Sequence, residues 1–483
     1  MTYEAAVAHL YELGHELGAG TTRKFDLAHM RALAAALGHP ERRFASVLIA
    51  GTNGKGSTAA TLASILQAAG YRTGLYTSPH LVRVNERIRI NGEQISDAEF
   101  TEIYRRIYEA AQQLIGTGEL PHEPSFFETL TAMAFEYFAS SGVEIAVLEV
   151  GMGGRLDATN IAEPCVSVIT DISLDHQKFL GNTIAEIARE KAGIIRPNGT
   201  VVTLPQHPEA NDVIGNTIVE RNARAVNAAQ YVPPVSPGAK DYFALIGSDG
   251  SDNEGQLATK VQSFSPVNVS RNDGGSVWAR NRYPISVLGQ EIAVESPLIG
   301  RHQLRNIALA IAAAAELKQC GFPMTPEHIE RGIRETKWPG RFQIIPAHEG
   351  WPDVVLDVAH NPAGAWALRS ALSERFDGRP LVIVFGAMRD KAIGEMAEIL
   401  FPLADFVIAT QASAHNPRAA TPEEIRQAAS RLSTDIVCEP TVAQALQHAR
   451  ATLPHNAVLA ITGSIYVVGE ALTALESAAA SVQ

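Results

Sequence analysis

The stretch Val47-Leu48-Ile49-Ala50-Gly51-Thr52-Asn53-Gly54-Lys55-Gly56-Ser57 decides how this sequence is read. A short apolar run enters a glycine-rich loop, and Thr58-Ala59-Ala60-Thr61-Leu62 then opens a helical pattern. Strand, glycine loop and helix in that order build an anion site. Glycines let backbone N–H groups face phosphate oxygens, the helix N-terminus favours negative charge, and Lys55 adds a compact cation. The spacing departs from the usual GxxxxGK[S/T] loop: Gly51 lies three positions before Gly54, and Gly56 stands where a hydroxyl normally follows the lysine. Ser57 carries that hydroxyl one residue later, so a kinase- or GTPase-type loop is disfavoured. The bland alternative, a tight glycine turn with a surface lysine, fits the strand and helix on either side less well.

Outward from the loop, short Val/Ile/Leu runs alternate with longer amphipathic stretches. That alternation predicts an α/β fold with a mostly parallel sheet, because crossover helices bury parallel strands on both faces. Expected strands are 46–50, 145–150 and 166–170, with helices over 58–69 and 127–140. A second α/β series follows Arg341, with strands near 354–358, 381–385, 406–410 and 457–462. Lys337-Trp338-Pro339-Gly340 reads as the joint, since proline and glycine interrupt regular structure. We therefore expect an ATP-binding domain over 1–337 and a smaller Rossmann-like domain over 338–483. The polar segment 232–295, with its run Gly247-Ser248-Asp249-Gly250-Ser251-Asp252-Asn253, reads as a surface elaboration of the first domain with some strands near 283–294.

At 483 residues and 46% hydrophobic content, the chain has enough apolar material for a sizeable core without metals or disulfides. Cys165, Cys320 and Cys438 lie far apart and form no CxxC pair, which suits buried thiols in a reducing compartment. A net charge of −12 and no long Lys/Arg block speak against a nucleic-acid surface. No apolar run reaches the roughly 20 residues of a membrane span, and the N-terminus lacks a secretory pattern. A cytoplasmic enzyme with no membrane or nucleic-acid partner is expected.

The glycine loop resembles the GTxGK-type loop of the Mur ligase superfamily, whose members form amides through an acyl phosphate. Further segments narrow the resemblance. Tyr76-Thr77-Ser78-Pro79-His80-Leu81, Asn85-Glu86-Arg87-Ile88 and Glu149-Val150-Gly151-Met152-Gly153-Gly154-Arg155-Leu156-Asp157-Ala158-Thr159-Asn160 look like the folylpolyglutamate synthase/dihydrofolate synthase family. So do Leu174-Asp175-His176, Glu190-Lys191-Ala192-Gly193, Pro339-Gly340-Arg341-Phe342 and Asp357-Val358-Ala359-His360-Asn361-Pro362. These motifs run in the expected order from about Asp26 to Gly469. The segment before Val47 is too short for the nucleotide-sugar domain of about one hundred residues that precedes the loop in the peptidoglycan branch.

The resemblance implies ATP and Mg2+ as cofactors and assigns roles residue by residue. Asn53, Gly54, Lys55, Gly56 and Ser57 would bind the ATP phosphates, with Asn306, Arg341 and Asp357 on the nucleotide. Ser78, Glu149 and His176 would help hold magnesium, which suits oxygen ligands supplied by few protein groups. Glu149 also ends an apolar run, and the carboxyl ends of parallel strands are where open α/β sheets bind ligands. Taken singly, Ser78 could be a turn residue and His176 a structural histidine. The resemblance makes Lys191 a carbamylated lysine and places His360 near the incoming glutamate, so Lys55, Glu149, His176, Lys191 and His360 form the expected catalytic set. A cis peptide is expected between Ser78 and Pro79, where X-Pro tolerates it.

Asp26, Leu27 and Ala28, then Phe127, Glu128, Thr129 and Leu130, and finally Leu156, Asp157 and Ala158 match the family regions that bind dihydropteroate. A phenylalanine pair such as Phe126–Phe127 at a helix start is equally at home in a core. The Arg-Leu-Asp-Ala-Thr-Asn form resembles bifunctional members, so dihydropteroate, reduced folates and L-glutamate are the implied substrates of a monomeric ligase. Three alternatives stay open at this point: a synthase restricted to reduced folates, a γ-glutamyl ligase for another acid, and a catalytically silent nucleotide binder.

Overall fold

The computed structural model describes residues 1–14, 26–233, 280–348, 350–412, 417–454 and 456–480. Strand β1, Ala45–Ala50, lies inside an eight-stranded sheet because its apolar side chains are buried on both faces. The other strands of this sheet are β2 (Thr73–Tyr76), β3 (Ile88–Ile90), β4 (Glu93–Gln94), β5 (Ile145–Glu149), β6 (Val166–Ile169), β7 (Thr200–Thr203) and β8 (Arg224–Asn227). Their order is β4-β3-β2-β5-β1-β6-β7-β8, antiparallel only where β3 meets β2 and β4.

Alternation along β1 shows why both faces need cover. Leu48 and Ala50 enter one core with Phe100, Phe135 and Phe138 from helices Asp97–Gly116 and Phe126–Ser140. Val47 and Ile49 enter the other with Leu62, Ile307 and Ile333, from helices Lys55–Ala68, Arg301–Glu316 and Pro326–Glu335. Side chains of period two thus feed two layers of helices.

Strands β9 (Asn281–Val287) and β10 (Gln290–Ser296) form an antiparallel hairpin. The strands expected near 283–294 are therefore present, and over this described part the surface reading is corrected: Tyr283, Val287, Ile292 and Val294 are buried beside Ile329 and Ile333. One face of the hairpin is core because its alternate residues are apolar. The polar run 247–253 lies outside the described residues.

The second sheet contains β11 (Gln343–Ile345), β12 (Asp353–Leu356), β13 (Leu381–Phe385), β14 (Phe406–Ala409), β15 (Ile436–Cys438) and β16 (Val458–Thr462). Its order is β11-β12-β16-β13-β14-β15, parallel except for β11. It has cores of its own on both faces, one around Val355, Ile383 and Phe385 and one around Val354, Leu356 and Val384. The fold is an α/β Mur-ligase-like sheet followed by a smaller α/β sheet. Among the described residues no helix is long and apolar enough to cross a membrane.

Candidate active site

Helix Lys55–Ala68 starts three residues earlier than its apolar pattern suggests, so Lys55 sits in its first turn. Gly54 makes this possible. It caps the helix at φ +88°, and a Cβ there would lie 2.1 Å from Asn306 Oδ1. Sheet order puts the loop at the carboxyl end of β1 between its two neighbours, with Ile49 paired to Glu149 on β5 and Ala50 paired to Ile169 on β6. Thr52 and Asn53 donate their backbone N–H groups to Asp171 O, and the Thr52 hydroxyl donates to Ser173 O at 3.0 Å. The loop is therefore held from below. Ser57 is buried at the helix start, and its carbonyl accepts from the Thr61 hydroxyl.

Two lysines converge on one carbonyl of this loop. Lys55 Nζ donates to Gly51 O and Thr52 O, both at 3.1 Å, and Lys191 Nζ donates to Gly51 O at 2.7 Å. Burial, with the Lys55 charge beside it, pushes the Lys191 ammonium down to about 7. Glu149 is buried at the end of β5 and accepts from Ser78 N at 3.2 Å. The Ser78–Pro79 peptide is cis, as expected. His176 follows β6 in a left-handed conformation, φ +51°. Burial lowers its imidazole to about 4; Asp175 pulls the other way, and the cations Lys391, Lys55 and Lys191 add to the lowering. A neutral imidazole has a lone pair for a ligand.

In the second half, Asp357 lies just past the end of β12, earlier than the expected strand end. Its Oδ2 accepts from Phe342 N at 2.8 Å and its Oδ1 from Ala359 N at 2.9 Å. Arg341 donates to Gly340 O at 3.3 Å, and Asn306 Nδ2 donates to Gln303 Oε1 at 2.9 Å. A cavity of about 500 Å³ opens beside these groups, and Ser78, His176, Arg341 and His360 line it. Lys55, Glu149 and Lys191 stand outside that lining.

Asp26, Leu27, Phe127 and Glu128 also line the cavity, as do Leu156, Asp157 and Ala158. Three expected neighbours do not. Ala28 is exposed on helix Leu27–Ala36, away from the cavity, because Leu27 and Met30 occupy the inward face of that helix. Thr129 and Leu130 are buried on helix Phe126–Ser140, Leu130 within the core. The cavity meets only the first turn of that helix, so the residues one turn on face the sheet.

Asp157 is fully enclosed, accepting from Thr159 N and Met152 N, each at 3.0 Å. Burial pushes its carboxyl from 3.8 up to about 6 against the pull of those hydrogen bonds. Between these values the folded chain holds a proton that the unfolded chain has released, so this group's contribution to stability falls as pH rises through the window and is level above it. Asp157→Asn should remove up to ~3 kcal/mol of that pH dependence. Urea unfolding at a series of pH values checks it, and an unchanged slope would contradict the assignment.

Sequence reasoning gave Asp175 no role of its own and missed Lys391. Asp175 Oδ1 takes Lys391 Nζ at 2.6 Å, and both side chains are nearly buried. His360 Nε2 stands 3.6 Å from Asp175 Oδ2. Burial alone would raise the Asp175 carboxyl, but His360, His176 and Lys391 outweigh it and hold it far below its ordinary value. Lys391 follows β13, and the rule that ligand groups gather at the carboxyl ends of strands was the available signal.

The match with known proteins extends over both halves. Residues 100–228 match the Mur ligase middle domain and residues 340–465 the Mur ligase glutamate ligase domain. The dihydrofolate synthase/folylpolyglutamate synthase of Bacillus subtilis is 33% identical over 446 residues, covering 92% of this chain and 93% of that protein. The chain belongs to the folylpolyglutamate synthase/dihydrofolate synthase family. Members of this family are ATP- and Mg2+-dependent ligases of the Mur type. A Mycobacterium tuberculosis folylpolyglutamate synthase solved with ADP and AMPPCP superposes with TM-score 0.77 at 31% identity, covering 98% of each chain. Escherichia coli FolC, solved with DHPP and ADP, superposes with TM-score 0.76 at 28% identity, covering 99% of this chain and 98% of that one.

The donor chemistry at the loop fits the family's magnesium. Glu149 offers a buried carboxylate, Ser78 a hydroxyl and His176 a neutral imidazole. Among the described residues no three His, Cys, Asp or Glu side chains cluster into a protein-only cage. Magnesium does not need one, since it keeps water and phosphate oxygens in most of its shell.

Proposed function

We propose that the chain ligates L-glutamate to dihydropteroate, giving dihydrofolate, and to the γ-carboxylate of reduced folates, giving polyglutamates, driven by ATP. The observation that carries this reading is the cavity of about 500 Å³ described above. Phe127, Met152 and Leu156 supply an apolar wall suited to a flat ring, while His360, Arg418 and Ser464 supply a polar wall suited to an amino acid. The E. coli relative, solved with DHPP and ADP, supports a nucleotide beside the acid substrate.

In this reading the N–H groups from Gly54 to Ser57 and the Lys55 ammonium hold the ATP phosphates, and Asn53 anchors the loop. Asn306, Arg341 and Asp357 orient the nucleotide. Ser78, Glu149 and His176 would hold magnesium, which when bound neutralises phosphate charge. The substrate carboxylate attacks the γ-phosphorus, the bond to ADP breaks, and an acyl phosphate forms. The glutamate amine then attacks the acyl carbon near His360, and phosphate leaves. Positioning and charge neutralisation carry this chemistry, with no protein nucleophile. Enclosure between the two halves shields the acyl phosphate from water.

Lys191 is carbamylated in this reading. Its buried amine, pushed down to about 7, is substantially unprotonated at neutral pH. Its nitrogen bonds the carbon of CO2, and a proton leaves as the carbamate forms. The ligase works as a monomer in the cytoplasm.

One experiment tests the reading: ADP release with dihydropteroate and with a reduced folate monoglutamate, each with and without L-glutamate and bicarbonate. Glutamate-dependent turnover of both acids, stimulated by bicarbonate, is expected. Turnover of folate alone would remove the dihydrofolate synthase activity, and turnover of neither would overturn the proposal. Indifference to bicarbonate would count against the carbamate.

A further inference from the structure

One buried carboxylate joins the two halves of the molecule. Asp175, in the loop after β6, pairs with Lys391 Nζ at 2.6 Å, and the two side chains are only 9% and 10% exposed. Asn361 Nδ2 lies 3.4 Å from Asp175 Oδ2 and also donates to Asn53 Oδ1 at 3.0 Å in the phosphate loop. Asp175 Oδ1 accepts from the backbone N–H of His176 at 2.8 Å. Lys391, His360 and Asn361 all belong to the second half, and all three address the same carboxylate.

We propose that Lys391 is a positioning residue for the ligation, its ion pair with Asp175 locking the second half in one register over the phosphate loop. The inference rests on the function proposed above. Pairing two charges away from water roughly cancels the cost of dehydrating them, so such a pair adds little net stability while penalising any wrong alignment. Parting the halves returns both charges to water, which makes the lock reversible. Each half has cores of its own, so losing the pair frees their relative position without unfolding either. Through Asp175 the lock reaches the backbone of His176, and through Asn361 it reaches Asn53. A half that closes out of register therefore disturbs the candidate metal ligand and the loop together.

The test uses the full chain carrying Lys391→Met, Asp175→Asn, or both. Three quantities are read: kcat and KM, the radius of gyration by small-angle scattering with ADP and magnesium added, and the unfolding midpoint. Each single variant should lose about tenfold in kcat with KM for ATP within about threefold, as removal of a transition-state arrangement predicts. Each should also show a larger radius than the unsubstituted protein and a nearly unchanged midpoint. The double variant should be no worse than either single one, because the two residues act through one shared pair. Losses that multiply in the double variant would overturn the proposal, since they would place Lys391 on the reacting groups and not on Asp175. An unchanged radius in both single variants, or activity lost in step with the midpoint, would overturn it equally. The scattering arm needs no acid substrate. If the unsubstituted protein turned over neither pteroate nor folate, the proposed function would fail while the radii still judged the lock.

Discussion

Lys55→Ala is expected to lower kcat/KM for glutamate-dependent ADP release by about 10²–10³-fold, the loss typical of removing one preorganised charge-stabilising donor. The lysine sits in the first turn of helix Lys55–Ala68, where the backbone already favours an anion. Its ammonium donates to two loop carbonyls, and one of them, Gly51 O, keeps a second donor in Lys191. The loop therefore survives the truncation, and the unfolding midpoint should stay close to that of the unsubstituted chain. Steady-state kinetics beside urea unfolding separate the two effects. Near-normal turnover would remove the loop from the chemistry.

The second large effect is steric. Gly469 belongs to helix Ile465–Ala480, where a Cβ would come within 1.9 Å of Leu81 O and 2.9 Å of its carbonyl carbon. Leu81 belongs to the first half, just beyond the cis Ser78–Pro79 peptide. Both obstructing atoms are backbone, so neither can swing aside and the halves must separate instead. Gly469→Val should cost on the order of 10²-fold in kcat, the scale of an ångström-level misplacement of catalytic groups. The radius of gyration with ADP should rise, while each half keeps its core. A valine variant with ordinary kcat would show that this approach of helix to loop does not control catalysis.

Much of the fold was legible because it rests on local patterns. Strands β1, β5 and β6 fall within a residue of their expected bounds, since an apolar run buried on both faces reveals itself by composition. The loop was legible from its glycine spacing, and Glu149 from its place at the end of such a run. What local patterns did not record was orientation. Thr129 and Leu130 lie in a segment rightly read as helical, but which turn of that helix meets the cavity depends on how it leans on the sheet. Ala28 stands outside the cavity lining for the same reason, and the strands of hairpin β9–β10 were legible while their packing was not, because the partner helix, Pro326–Glu335, comes later in the chain.

The sequence by itself determined the class of chemistry: a phosphate loop of ligase type, a carboxylate at a strand end, and an ordered set of motifs with an acceptor pocket among them. These follow from short-range rules, in which spacing sets backbone shape and composition sets burial. Only the tertiary structure decided which distant residues share one site. Pairing β5 and β6 on either side of β1 brings Glu149 and His176 to the phosphate loop. Packing the second sheet against the first sets Lys391 on Asp175, 216 positions away in the chain. Strand order and the seating of one half on the other are decided by the sum of many weak apolar contacts, and no single stretch of sequence records that sum.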